Sequence, residues 1–262
     1  IRGSMVREII YRVLSCLFLA TAVTVVDRYW VRLGISDKGH SLVSVALGLL
    51  LVFRTNAAYD RFWEGRKLWG AMVNSCRNLA RAASVLLAER PALVRRLLLL
   101  TIAFPYATMQ RLRDRPGLGQ FDAALDTELA EEGPALRAAP HLPLGLAVRL
   151  SAGLKEAHAA GLLSDYQQLT LDQNVQHLVD HLGGCERIRR TPLPFAYVVH
   201  LRRALLLYCY SLPFILLPVF GWGTIAGTFL LSYVLLGIEE IGVEISDPFG
   251  TGYNDPPLGN LC

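Results

Sequence analysis

No two of the five cysteines (Cys16, Cys76, Cys185, Cys209 and Cys262) are close enough in sequence to form a CxxC pair. Such isolation argues against a zinc ribbon or a disulfide framework and leaves free thiols, in a reducing compartment or in lipid. The chain has no P-loop and no G-x-S-x-G. An energised transporter and a membrane hydrolase therefore lack their motifs, no base–nucleophile pairing is recognisable, and the chain reads as no enzyme, with no cofactor. Basic clusters interleaved with aromatics are also missing, and the net charge of +4 is mild. This reads as membrane topology rather than as a nucleic-acid partner. Strand-like alternation occurs nowhere, which makes the expected fold all-α.

The apolar residues dominate what is there. Of 262 residues, 53% are hydrophobic and 18% charged. That is too oily for a soluble protein and too charged for a chain wholly in lipid, so a membrane part joined to a water-exposed part is expected. Ile1 to Ser4, before Met5, look like the remnant of an expression tag. Ile9 to Val26 is apolar on nearly all sides apart from Arg12, and Tyr29 and Trp30 follow as interfacial aromatics. Pro91 opens a further helix with an apolar stripe at Val94, Leu97, Leu98 and Ile102. Between Asp122 and Leu163 shorter helices are broken at Gly133-Pro134 and at Pro140 to Pro143. Ser164-Asp165 caps a helix that carries Leu171, Val175, Leu178 and Leu182 up to Gly183-Gly184. Phe195 to about Pro218 and Ile225 to Ile238 read as two more crossings, the first kinked and stopped by Pro213 and Pro218. The second ends in Glu239, Glu240 and Glu244, which oppose the helix dipole and call for arginines such as Arg202 or Arg203.

Ser41 to Gly70 organises the rest. Leu42 to Phe53 is apolar, too short to cross a bilayer, yet helical periodicity continues past it. Val45, Leu49, Val52 and Phe53 share a face with Asn56, Asp60, Trp63 and Lys67. A helix face that turns from oily to ionisable suits the wall of a water-filled path, because lipid does not accept such groups.

Three segments, FRTNAAYDRFWEGRKLWG, CERIRRTPLPFAY and SDPFGTGYNDPPL, resemble the bestrophins, in particular their bacterial branch, and keep that family's order from about Met5 onward. The resemblance implies a homopentameric ion channel around a hydrophobic neck, with the neck positions on Val45, Leu49 and Phe53. By periodicity alone these three read as membrane-helix packing. Asp60 has two readings: an ion pair with Arg54, Arg61 or Lys67, or a ring of aspartates that favours cations. Animal members, which pass anions, lack an acidic residue there. The family's cytoplasmic aperture falls on Leu169, or on Leu163 if the alignment slips, and a core leucine is the alternative for either. Calcium-gated members follow PFG with an acidic run, whereas here only Asp255 is acidic, so no calcium gating is expected. His177 and His181, four apart, form an incomplete metal pair that reads more simply as solvated.

The expected architecture is therefore an all-α, four-crossing membrane protein with a cytoplasmic helical bundle. Residues 5–56 hold membrane helices one and two, 57–192 the cytoplasmic region, 193–245 membrane helices three and four, and 246–262 an extended segment packed on a neighbouring subunit. Arginine placement puts both termini in the cytoplasm, and the membrane would be the bacterial inner one. The partners are further copies of the chain, the lipid bilayer and permeating monovalent ions, leaning to cations. A non-conducting scaffold would use the same hydropathy.

Overall fold

A computed structural model describes residues 6–119, 122 and 132–250, and every regular element among them is helical. The helices are α1 (Val6–Tyr29), α2 (Lys38–Leu86), α3 (Pro91–Leu112), α4 (Gly133–Arg137), α5 (Leu142–Ala159), α6 (Asp165–Arg190), α7 (Phe195–Phe220) and α8 (Gly223–Glu244). They fall into two compact units, one of residues 6–62 with 192–247, the other of residues 63–191 with 248–250.

In the first unit α1, α7 and α8 pack on one another through Ile9, Val13 and Cys16 of α1, Cys209 and Leu212 of α7, and Leu236 of α8. Leu47 and Leu51 of α2 pack against Leu201 and Leu205 of α7. Two threonines of this unit turn back on their own helices. Thr24 Oγ1 donates to Ala20 O at 2.7 Å and Thr55 Oγ1 to Leu51 O at 2.8 Å, which satisfies a hydroxyl without water. Large apolar residues such as Phe18, Leu207 and Leu230 are exposed. Tyr29, Trp30 and Trp222, at helix ends, are exposed too, as suits interfacial anchors.

In the second unit Trp69, Met72 and Leu79 of α2 meet Leu97, Leu100 and Phe104 of α3 and Leu171, Val175 and Leu178 of α6. Ser164 caps α6 through a complete capping box with Gln167, as its sequence predicts. Among the described residues, five helices (α1, α2, α3, α7 and α8) are long and apolar enough to cross a membrane, one more than the four crossings expected. The difference is α3, where 50% of the most apolar window is buried against 33% or less in the others. α3 is thus an interior helix of its unit. Its buried positions include Leu97, Leu100, Thr101 and Phe104, while Ile102, expected in the stripe, is exposed. A helix apolar on several sides offers no single stripe for periodicity to select.

Two further expectations are corrected. α6 does not end at Gly183-Gly184 but continues to Arg190. A Cβ at Gly184 would lie 2.9 Å from the Leu68 methyls, so this glycine admits a close helix approach rather than ending the helix. Pro218 does not stop α7 either, since Pro213 and Pro218 both lie inside it; it stops after Phe220, where Gly221 takes a φ of 51°.

Phe249, buried in the second unit's core, sits in the turn Pro248–Gly250 beside Gly65 of α2. A Cβ at Gly65 would lie 2.8 Å from Pro248 Cγ and 3.2 Å from Phe249 Cζ, both on rigid rings. Gly65→Ala is therefore expected to overpack this joint, at a cost of about 1–3 kcal/mol, and to lower Tm by several degrees in a detergent thermal melt. An unchanged Tm would contradict the packing.

Candidate functional site: two opposed faces of the long helix

The 49 residues of α2 extend about 74 Å at 1.5 Å per residue. At 3.6 residues per turn each position advances about 100°. Leu47, Leu51, Arg54, Ala58, Gly65 and Trp69 then fall in one narrow arc, and all six are buried. Leu42, Val45, Leu49, Phe53, Asn56 and Asp60 fall on the opposite side, and all six are exposed. Val45 is 72% exposed, Leu49 54% and Phe53 57%.

Asp60 extends the exposed face and makes no ion pair with any described residue. The partners proposed for it are used or turned elsewhere: Arg54 binds Glu239, Arg61 Nε donates to Ser246 O at 3.2 Å, and Lys67 is exposed. The carboxylate is left to the solvent side of the helix.

Behind that face is a charge cluster drawn from four helices of the first unit. Glu239 of α8 is 0% exposed and accepts from Arg54 Nη1 of α2 at 2.8 Å. Arg202 Nε of α7 donates to the same oxygen at 3.0 Å, and Arg12 Nη1 of α1 to the other at 3.5 Å. Glu240 takes Arg12 at 3.1 Å and Arg202 Nη2 at 3.5 Å. Arg54 is 2% exposed, and its Nε has no hydrogen-bond partner among the described residues, a cost of about 1–3 kcal/mol. Of the arginines expected for these glutamates Arg202 takes part, and Arg203 is exposed. Sequence reasoning missed Arg54 and Arg12. The available signal was Arg12 itself, a charge inside an apolar run that needs a partner at membrane depth.

The other candidates lie in the second unit. Leu169 of α6 is 58% exposed, whereas Leu163 is 4% exposed and belongs to the core. The His177 and His181 rings are stacked at 6.3 Å, with Asp180 Oδ2 3.9 Å from His177 Nδ1. No group of three possible metal ligands occurs among the described residues. Burial, then the neighbouring His177 charge, pushes the His181 imidazole below its ordinary 6.5 against the pull of Asp180. At the PFG turn, Arg113 Nε donates to Phe249 O at 3.2 Å and Nη2 to Gly250 O at 2.9 Å, so a guanidinium occupies these carbonyls. Asp255 and the rest of 251–262 lie outside the described residues.

The span 1–262 matches the family described as Bacterial/Fungal Bestrophin protein. The chain is 41% identical to a voltage-dependent anion channel-forming protein of Nostoc sp., over 100% of this chain and 86% of that one. A protein of the same description from Escherichia coli K12 is 34% identical, over 99% of this chain and 85% of its own. In three dimensions the chain superposes on the crystal structure of a bacterial bestrophin homologue from Klebsiella pneumoniae with a TM-score of 0.90. That match has 31% identity and covers 97% of this chain and 94% of the other.

The depressed His181 gives a pH dependence of defined sign. Its folded form resists protonation, so the unfolded chain takes the proton first as pH falls through 6.5. Stability drops over that window until the folded form is also protonated. The expected outcome for His181→Gln is a Tm that declines less than the native one between about pH 7.5 and 5.5. Parallel curves would contradict it.

Proposed function

The chain belongs to the bacterial and fungal bestrophin family, an ion-channel family of integral membrane proteins, and from this premise we propose that five copies assemble around one axial pore for passive flux of monovalent ions. One observation carries the reading: α2 exposes Val45, Leu49 and Phe53 in line with Asp60, which has no ion-pair partner among the described residues, on the side opposite its buried face. Burial inside the subunit does not account for that stripe, and lipid does not account for its acidic end. In a ring of α2 helices, stacked Val45, Leu49 and Phe53 form a neck that closes by dewetting rather than by coordinating ions.

Residues 5–56 and 193–245 supply the membrane helices and 57–192 the cytoplasmic region. There exposed Leu169, rather than buried Leu163, suits an aperture. The arginine distribution supports cytoplasmic termini in a bacterial inner membrane. His177 and His181 serve no metal role in this reading.

An exposed ring of Asp60 side chains supports a cation preference. A second reading, anion passage, is favoured by the description of the relatives as anion channel-forming. It is favoured also by the charge cluster, whose three guanidinium groups and two carboxylates leave one positive charge per chain.

In proteoliposomes, Phe53→Ala is expected to raise basal ion flux severalfold; unaltered flux would remove Phe53 from the neck. Under a salt gradient, Asp60→Asn is expected to move the reversal potential towards the anion side. Loss of one charge beside a watery path is worth about 1 kcal/mol, about fivefold in the permeability ratio. No shift would remove Asp60 from the path.

A further inference from the structure

We propose that the Arg54–Glu239 pair is a positioning element that sets the rotation of α2 about its own axis, and so decides which side chains face the pore. This rests on the reading of Val45, Leu49 and Phe53 as pore lining. Arg54 follows Phe53 in the chain and lies in the arc opposite Leu49. The other first-unit contacts on or beside that arc include the apolar packing of Leu47 and Leu51 on Leu201 and Leu205 and the neutral or backbone hydrogen bonds of His40 with Ser211 and of Arg61 with Ser246 O, and Arg54 makes the buried ionic one. Aliphatic packing accepts a modest helix rotation by exchanging rotamers, whereas a buried guanidinium at 2.8 Å from one carboxylate oxygen does not.

Glu239 is itself a fixed point. Arg202 and Arg12 hold its two oxygens from α7 and α1, so any mismatch is taken up by α2. The pair is also poorly suited to a purely stabilising role. Arg54 Nε is unpartnered, and a buried ion pair gains little over apolar side chains of similar size. What it adds that a methionine would not is direction. Because Arg54 and the stripe of Val45, Leu49 and Phe53 belong to one continuous helix, a rotation that releases Arg54 carries the whole stripe, Phe53 included, away from the pore axis.

The test separates rotation from folding. Arg54→Met removes the direction but leaves Glu239 bound to Arg202 and Arg12, so the channel is expected to assemble with a near-native Tm. Single cysteines at Leu50, Val52 and Phe53 are then labelled with a membrane-impermeant charged thiol reagent in proteoliposomes, against the native cysteines as background. With Arg54 present, the cysteine at 53 is expected to react and to change ion flux. With R54M, its rate relative to those at 50 and 52 is expected to change at least about fivefold, while R54K keeps the native profile. Glu239→Asp, one methylene shorter with the charge kept, is the second variant and is expected to shift the profile as well. An unchanged profile in both R54M and E239D would overturn the positioning role alone. A cysteine at 53 that is inert with Arg54 present would overturn the pore-lining reading and the proposal with it.

Discussion

A carboxylate with no exposure, held by arginines from three other helices, is the constraint on which the first unit depends. Glu239 lies near the C-terminal end of α8, where the helix dipole disfavours it. Placed in an apolar bundle unpaired, it would be neutralised or expelled. Arg54, Arg202 and Arg12 compensate it, and each comes from a different element, so the cluster ties α1, α2, α7 and α8 at one point. The apolar contacts around it supply most of the burial but little orientation.

That point lies on the buried side of α2. The 49-residue α2 contributes to both units, and in each it turns one side to its neighbours. The buried arc from Leu47 through Arg54 and Ala58 to Gly65 and Trp69 meets different neighbours in each unit. In the first unit the fit is polar and directional. In the second it relies on missing side-chain volume, with Gly65 against Pro248 and Phe249, and with Leu68 over Gly184. What is left over is the opposite side, apolar at Val45, Leu49 and Phe53 and charged at Asp60. A surface of that composition suits neither lipid nor bulk water along its full length, and the proposed ring of copies around a wet axis would cover it.

Much of this was legible in the residues. Helices announce themselves by the three- and four-residue recurrence of apolar positions, by the Ser164 capping box, and by prolines such as Pro91 at a first turn. The exposed face of α2 was readable because its periodicity persists from Val45 to Lys67 without a break. Less legible was the role of each glycine. Gly183-Gly184 looks like a helix stop in one dimension, yet only a neighbour's side chain shows that Gly184 is a close approach. Ile102 likewise belongs to a helix whose apolar residues surround it, so no period could say which would be covered.

The chain by itself determined an all-helical protein with membrane-length apolar segments, and a central helix that changes from oily to ionisable along one face. Those properties depend on near neighbours in sequence, and local periodicity encodes them. Tertiary structure alone decided that Arg54 and Arg12 join Arg202 at Glu239, that Asp60 has no ion-pair partner among the described residues, and that Leu163 is core while Leu169 is exposed. Each of those outcomes is a choice among several charges or leucines of equal local standing. Convergence of segments up to 228 positions apart makes that choice, and no local pattern records it.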